Sequence, residues 1–478
     1  MRSAVPARMD RLPWSRFHTR LVVALGVAWV LDGLEITVAS LIGPVLQSRH
    51  TLALSSVDVG RAASVYLAGE VVGALAFGYL ADRLGRRRLF MATLGLYLAA
   101  NGLTALAVDY TTLLIFRFLA GAGIGGEYSA INSAIDEIIP ARYRGHADLA
   151  INGTYWLGAI IGTLGEAVLL DPSRFPIDLG WRIGLLLGPI IGVAMWPLRR
   201  ALPESPRWLL THGYHDEAER IVATIECEVA AYGHVFAPAE SCTAVEVRAT
   251  GAVGYVTLAR VLFATYPSRS VLSVALMATQ SFLYNAIFFS YGLVLVHFYG
   301  VAPANVPRFF YAFAFGNLLG PLTLGRFFDT VGRKPMIAGT YVTAGILLAI
   351  SGYLFSRGAL TATTQTMWWS ATFFIASAAA SSAYLTVSEI FPLEIRAQAI
   401  ALFFAIAQVV GAAGPWIFGV LIGDQQHPDP HRLFVGYVFG AGMMVLGGVA
   451  EAVFGVKAER AALEDVAKPL SLIGGDKN

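Results

Sequence analysis

GYLADRLGRRR, residues 78–88, and GRFFDTVGRK, residues 325–334, each close a long apolar run on the same plan. A glycine, an aspartate and a second glycine keep identical intervals, and two basic residues follow. DEIIPARYRG (136–145) and SEIFPLEIRA (388–397) form a second matched pair, with Glu, Pro and Arg in register. Four segments that match in order and spacing mark an internal repeat, so the chain reads as two copies of one unit.

Outward from these turns the chain is apolar. A membrane-spanning helix needs about 20 mostly apolar residues. Twelve such runs can be read, centred near Trp29, Val71, Tyr97, Gly121, Ile160, Leu187, Ala286, Phe315, Gly345, Ile375, Val410 and Met444. They lack period-two alternation and are too long for barrel strands, which excludes a closed β-barrel. Among the 478 residues, 56% are hydrophobic and 14% charged, and the mean hydropathy is +0.62. A soluble domain carries about 25% charged residues, so lipid is the expected solvent for most of this surface. The basic N-terminus precedes an apolar run too long for a signal-peptide core, which reads as a retained first span.

Several classes fall away. The net charge of +2 leaves no footprint for nucleic acid. Cys227 and Cys242 are the only cysteines. They read as reduced thiols on a polar loop, without a disulfide framework or a metal cluster. No nucleophile elbow or nucleotide loop argues for an enzyme, and no cofactor is expected.

Basic residues set the expected orientation. Arg83 and Arg86–Arg88 follow the second run, Arg142 and Arg144 the fourth, Arg199 and Arg200 the sixth, Arg333 and Lys334 the eighth, and Arg396 the tenth. The other connections carry single, scattered arginines. Both termini and the central loop are therefore expected in the cytoplasm, in a multi-pass protein of the cytoplasmic (inner) membrane. The expected fold is an all-α membrane protein of twelve transmembrane helices in two pseudo-symmetric six-helix bundles. Residues 1–200 would form the first bundle and 271–456 the second. Residues 201–270 would form a central loop with a short amphipathic helix on Ala218, Ile221, Val222 and Ile225, and 457–478 a tail.

The charged turns have a physical logic. Gly78 and Gly325 would let helices approach closely, and Gly85 and Gly332 would allow a tight turn at positive φ. Asp82 and Asp329 could cap the next helix and pair with Arg86 and Arg333. Such a turn can latch a gate or simply fix a hairpin. These motifs resemble those of the major facilitator superfamily, and PESPRWL (203–209) is similar to the signature of its sugar porters and their metabolite:proton relatives. The resemblance spans nearly the whole chain. It implies alternating access, with Glu137, Arg144, Glu389 and Arg396 matching residues that join the two halves on the cytoplasmic side.

Ionisable groups inside the runs are functional candidates, because burying them is costly. Asp32 and Glu35 share a face of the first run; Arg117 and Glu127 lie on the fourth. An acid beside an arginine in a low-dielectric interior suits a proton switch. By resemblance, Glu35 falls near the acid that sugar:proton symporters pair with an arginine at the position of Arg117. DGLE is similar to the acidic segment of metabolite:proton and phosphate:proton symporters. GGEY, with Glu127, is similar to segments of phosphate and aromatic-acid carriers. A structural ion pair is the plainer alternative. Glu70 and Glu166 match no motif.

In the seventh run Gln280 and Asn285 keep an interval of the sugar porters' amide motif, although Thr279, Phe282 and Leu283 depart from it. Tyr384 stands where those porters place a tryptophan. Asn152, Tyr155, Tyr284 and Tyr384 complete the candidate substrate residues. The departures weaken a hexose reading. The expected function is proton symport of a small polar metabolite, an organic acid, by a monomer in the lipid bilayer. The rivals are sugar:proton symport, phosphate:proton symport and a non-transporting membrane sensor.

Overall fold

The computed structural model describes residues 2–140, 143–200, 202–233, 236, 238, 245–246, 255–391, 395–423 and 428–456. Twelve helices of 20 to 33 residues form its body. In the first half these are α2 (Arg16–Leu46), α3 (Ser56–Leu84), α4 (Arg86–Ala105), α5 (Tyr110–Ile138), α6 (Arg144–Leu169) and α7 (Ile177–Arg200). In the second they are α11 (Pro267–Tyr299), α12 (Val306–Thr330), α13 (Arg333–Ser356), α14 (Ala362–Ile390), α15 (Arg396–Ile422) and α16 (Pro430–Phe454). Each of the twelve apolar runs falls inside one of them. At 1.5 Å per residue, 20 residues span the roughly 30 Å hydrocarbon core with all interior backbone groups bonded.

Seven of the twelve are long and apolar enough to cross a membrane by length and composition alone. The other five, α4, α5, α6, α12 and α14, are as long but carry polar residues that neighbouring helices bury, such as Arg117, Glu127, Glu166, Asn317 and Ser377. Ser55, Asp109 and Thr361 start α3, α5 and α14 by accepting the backbone N–H three residues on. The turns between α3 and α4 and between α12 and α13 pivot on Gly85 (φ 89°) and Gly332 (φ 114°), as the spacing predicted.

The pairing of helices repeats. α2 packs on α6 as α11 packs on α15; α3 on α5 as α12 on α14; α4 on α7 as α13 on α16. Glycines bring several of these backbones together. A Cβ on Gly69 or Gly73 of α3 would run into the carbonyls of Phe118 and Ala122, and one on Gly121 or Gly125 of α5 into those of Tyr66 and Glu70. This is the small-residue packing that lets helices associate without a hydrophobic drive. Gly325 does not share that role. A Cβ there would meet nothing within 4 Å, because the eighth helix places its close approaches at Gly316 and Gly320 instead.

The end where α2 begins, here the basal end, carries α1 (Val5–Asp10), α8 (Pro206–Thr211) and α9 (His215–Ala231), which pack against the first bundle. The expected amphipathic helix is α9, with Ala218, Val222, Ile225 and Val229 buried. It continues to Ala231, beyond the four residues of the expected face, and Cys227 sits exposed on it rather than on a loop; Cys242 lies outside the described residues. α10 (Tyr255–Thr265) joins the second bundle. Arg2–Ser3 pairs with Val245–Glu246 as a minimal two-stranded ribbon.

The two bundles meet along α2 with α11, α3 with α15, and α6 with α12. At the far, distal end Ser40 Oγ donates to the Phe288 carbonyl and Gln47 bonds His297 at 2.9 Å. Gly60 lies against the Pro415 carbonyl.

Candidate functional site

The acids of α2 point into the protein. Asp32 and Glu35 lie one turn apart and are 1% and 0% exposed. They share a face because three residues nearly complete a helical turn. Gly33, between them, lies against the Tyr155 carbonyl of α6, and Gly158 lies against Val30. That contact brings α2 and α6 close and aims both carboxylates at α3, α4 and α5.

Glu35 accepts from Arg117 and from the Asn101 amide of α4. The guanidinium is also 4.4 Å from the centre of the Tyr66 ring, a cation–π contact. The pair expected from sequence is thus in contact. Arg117 is 4% exposed, so it does not snorkel to the surface. It borders a cleft of about 420 Å³ on the distal side. Asp32 accepts from the Tyr128 hydroxyl of α5 and, at 3.2 Å, from the Tyr66 hydroxyl of α3.

Glu127 bonds Arg199 at the end of α7, at 2.7 Å, with both side chains 1% exposed. Arg199 is therefore a buried partner and not the loop charge that its position suggested. Its long side chain turns back into the bundle, where a carboxylate waits. Glu127 and Asp32 border one small cavity of about 170 Å³ with Trp29 and Tyr128.

Across the interface, Glu70 of α3 accepts from the Gln408 amide of α15 at 2.5 Å. The Gln408 carbonyl accepts from Ser281 Oγ at 2.6 Å and from Asn285 Nδ2 at 3.4 Å. Tyr128 stacks on Phe404 with ring centres 4.8 Å apart. The centre thus joins acids of the first bundle to amides and a hydroxyl of the second. Tyr155 of α6, Tyr284 of α11 and Tyr384 of α14 are half-buried and pack against the core that the two bundles share. Tyr284, however, donates to Asn317 at 2.8 Å, so its hydroxyl braces α12. Asn152 and Gln280 are half-buried and take no part in the Glu70–Gln408 network.

At the basal end, Arg86 donates to the Ala81 carbonyl at 2.7 Å, and Arg333 begins α13. The side chains of Asp82, Glu137, Arg144, Asp329, Glu389 and Arg396 lie outside the described residues. The start of α4 is capped by Glu204 of the PESPR segment, which accepts the N–H of Arg86 at 2.7 Å and of Arg87 at 3.2 Å. A carboxylate there complements the helix dipole. Ser205, next in the segment, caps α8.

The profile of the family described as "Sugar (and other) transporter" matches residues 36–468. The chain belongs to this family of the major facilitator superfamily. It is 26% identical to the niacin transporter NiaP of Acinetobacter baylyi over 90% of this chain and 92% of that one. It is 28% identical to the putative metabolite transport protein YdjK of Escherichia coli, over 87% and 88%. A solved structure of the xylose transporter XylE from E. coli, partially occluded and inward open, superposes with a TM-score of 0.71 at 17% identity, covering 94% of this chain and all of that one. The protein is a multi-pass membrane transporter of the sugar-porter type, and its relatives carry metabolites.

The transporter's centre also uses residues that sequence reasoning passed over. Tyr66, Asn101, Ser281 and Gln408 were not singled out, and Glu70 was set aside. Their signal was present: each is a polar residue in an apolar run, which needs a partner. Only the fold shows which partner.

Proposed function

We propose that the chain is a proton-coupled symporter of a small organic acid, working as a monomer in the cytoplasmic membrane with its basal end and both termini in the cytoplasm. The arginine-rich even-to-odd connections support that orientation. One observation carries the substrate class. Where the bundles meet, two buried acids, Asp32 and Glu70, hold the hydrogen-bond donors of Tyr66, Tyr128 and Gln408. An anion entering beside two carboxylates is repelled. Once those acids are protonated, the repulsion vanishes and the same donors become available to a substrate carboxylate. Proton and anion therefore favour each other's binding, and by reciprocity each drives the other's transport.

Glu35 and Arg117 supply the second element of coupling. Rocking of the bundles that separates a carboxylate from its guanidinium changes its proton affinity, which is what a proton-driven cycle requires. Tyr155, Tyr384 and Asn285 face the centre from three further helices and suit an aromatic or planar acid. Glu127 is already paired with Arg199, which favours a role in holding α5 to α7. The niacin-transporting relative is named for a substrate of this class.

The test is ligand binding to the purified transporter at pH 5.5 and pH 8. Nicotinate, benzoate, nicotinamide, hexoses and phosphate would be compared by calorimetry. Nicotinate or benzoate binding that tightens at the lower pH, with weaker and pH-independent nicotinamide binding, is expected. Binding of a hexose or phosphate but of no carboxylate would refute the organic-acid reading.

A further inference from the structure

We infer that Glu70 is a proton-operated switch: its carboxyl decides, through the Gln408 amide, whether the second bundle offers hydrogen-bond donors to an anionic substrate. This rests on the anion-symport reading above and adds the residue that carries it across the bundle interface.

Glu70 is 1% exposed and belongs to α3; Gln408 belongs to α15. The Glu70–Gln408 bond thus crosses the plane along which the bundles must move. Both ends are braced. The α3 backbone at Glu70 lies against Gly125, and Gly411, one turn beyond Gln408, lies against Ser281 and Asn285. Glu70 Oε2 is held at 2.5 Å. Among the described residues its other oxygen, Oε1, is buried without a hydrogen-bond partner.

The hydrogen bonds decide the direction of the amide. A carboxylate only accepts, so Gln408 must turn its NH₂ to Glu70. Its carbonyl then faces α11 and takes the donors of both Ser281 and Asn285. In that state the Ser281 hydroxyl proton is committed to Gln408, and the Asn285 amide is shared between Gln408 and the Ser281 carbonyl, the latter at 3.0 Å. A proton taken up by Glu70 from water reverses the pattern, with no other covalent bond made or broken. The carboxyl O–H donates to the Gln408 carbonyl, and the amide turns over. Its NH₂ now faces Ser281, whose oxygen can accept it. The Ser281 hydroxyl proton loses its acceptor and is freed, while Asn285 gives up only its 3.4 Å contact and keeps its bond to the Ser281 carbonyl at 3.0 Å. The freed Ser281 hydroxyl is then available to an anion bound between the halves.

Other titratable groups face Glu70. They are Asp32 of α2, Tyr66 of α3 itself, Arg117 and Tyr128 of α5, Tyr155 of α6 and Tyr384 of α14. Asp32 governs the donors of Tyr66 and Tyr128, all within the first bundle. Glu70 alone among these acids governs donors of the second, so the two carboxyls act on opposite walls of the site.

The experiment compares nicotinate and benzoate affinity between pH 5.5 and 8 for wild type, Glu70→Gln and Ser281→Ala. One linked proton changes affinity by on the order of tenfold per pH unit across its titration. Glutamine at 70 carries no charge at any pH and, unlike a carboxylate, can donate to the Gln408 carbonyl. It should therefore raise affinity at pH 8 towards the wild-type value at pH 5.5 and remove one proton from the linkage. Ser281→Ala should weaken binding at pH 5.5 and leave binding at pH 8 nearly unchanged, which keeps the test informative if the glutamine variant fails to fold. Ligand-induced infrared difference spectra give a third readout. A protonated-carboxyl band that grows with nicotinate in wild type should lose intensity in Glu70→Gln. An unchanged pH slope and band in Glu70→Gln, or an equal loss at both pH values in Ser281→Ala, would overturn the switch while leaving anion symport standing. A wild type that binds neither carboxylate overturns both.

Discussion

Glu35→Gln tests the buried ion pair most directly. The substitution keeps volume and a hydrogen-bonding end, so Asn101 can still donate to it. It removes the carboxylate paired with Arg117, and that guanidinium is 4% exposed. Breaking one side of a buried pair costs about 3–5 kcal/mol, because an uncompensated charge stays behind. The Tyr66 ring face already lies over the guanidinium and offsets about 0.5–2 kcal/mol of that. A net loss of about 1–4.5 kcal/mol follows. Reversible unfolding in detergent measures it, and Glu35→Gln combined with Arg117→Gln should recover much of the loss, because both charges are then gone. In proteoliposomes, substrate counterflow should persist while accumulation driven by a proton gradient disappears. A loss below about 0.5 kcal/mol would falsify the energetic argument. Unchanged proton-driven accumulation would refute the coupling role, whatever the stability result.

Three further outcomes are expected. Gly121→Ala drives a Cβ into the Tyr66 carbonyl and should cost about 1–3 kcal/mol, whereas Gly153→Ala, with nothing within 4 Å of the added carbon, should be neutral or stabilising; thermal unfolding of the two variants compares them. Glu204→Ala removes the acceptor for two N–H groups at the start of α4 and should lower stability by about 0.5–2 kcal/mol, read from the midpoint of thermal unfolding. Burial works against ionisation of Glu226, but its bonds to Arg8 and Arg11 prevail and hold the carboxyl below its ordinary value of 4.5. The attachment of α1 to α9 is therefore complete above that value and lost as pH falls through the lower folded-state one; hydrogen exchange of Val5–Asp10 should rise over that acid range, and in Glu226→Gln the rise should be absent.

Much of this was legible in the sequence because it follows from local composition. The twelve runs, the turns at Gly85 and Gly332 and the amphipathic face of α9 each depend on residues within a few positions of one another. The Glu35–Arg117 contact was also foreseen, from the cost of burying either charge together with the resemblance to sugar:proton symporters. Glu127 shows the limit. Its burial was evident, yet its partner, Arg199, stood at the end of a helix beside other basic residues and looked like part of the charged boundary. Gly325 fails for the same reason. A glycine reports that close approach is permitted, not that a neighbour comes.

What the sequence determined by itself is the solvent, the number of spans, their pairing into two related halves and several of the buried charges, Asp32, Glu35, Arg117 and Glu127 among them, since each rests on hydropathy, spacing or the cost of desolvation. The tertiary structure decided which charge meets which. Glu70 and Gln408 are separated by most of the chain, and nothing local distinguishes either from an ordinary polar residue in a helix. Hydrogen bonds form between groups that packing brings within 3 Å of each other, and here the packing is set by glycines that let α3 lie on α5 and by the meeting of α3 with α15. The site's acid from one half and amide from the other exist as a pair only where those surfaces touch.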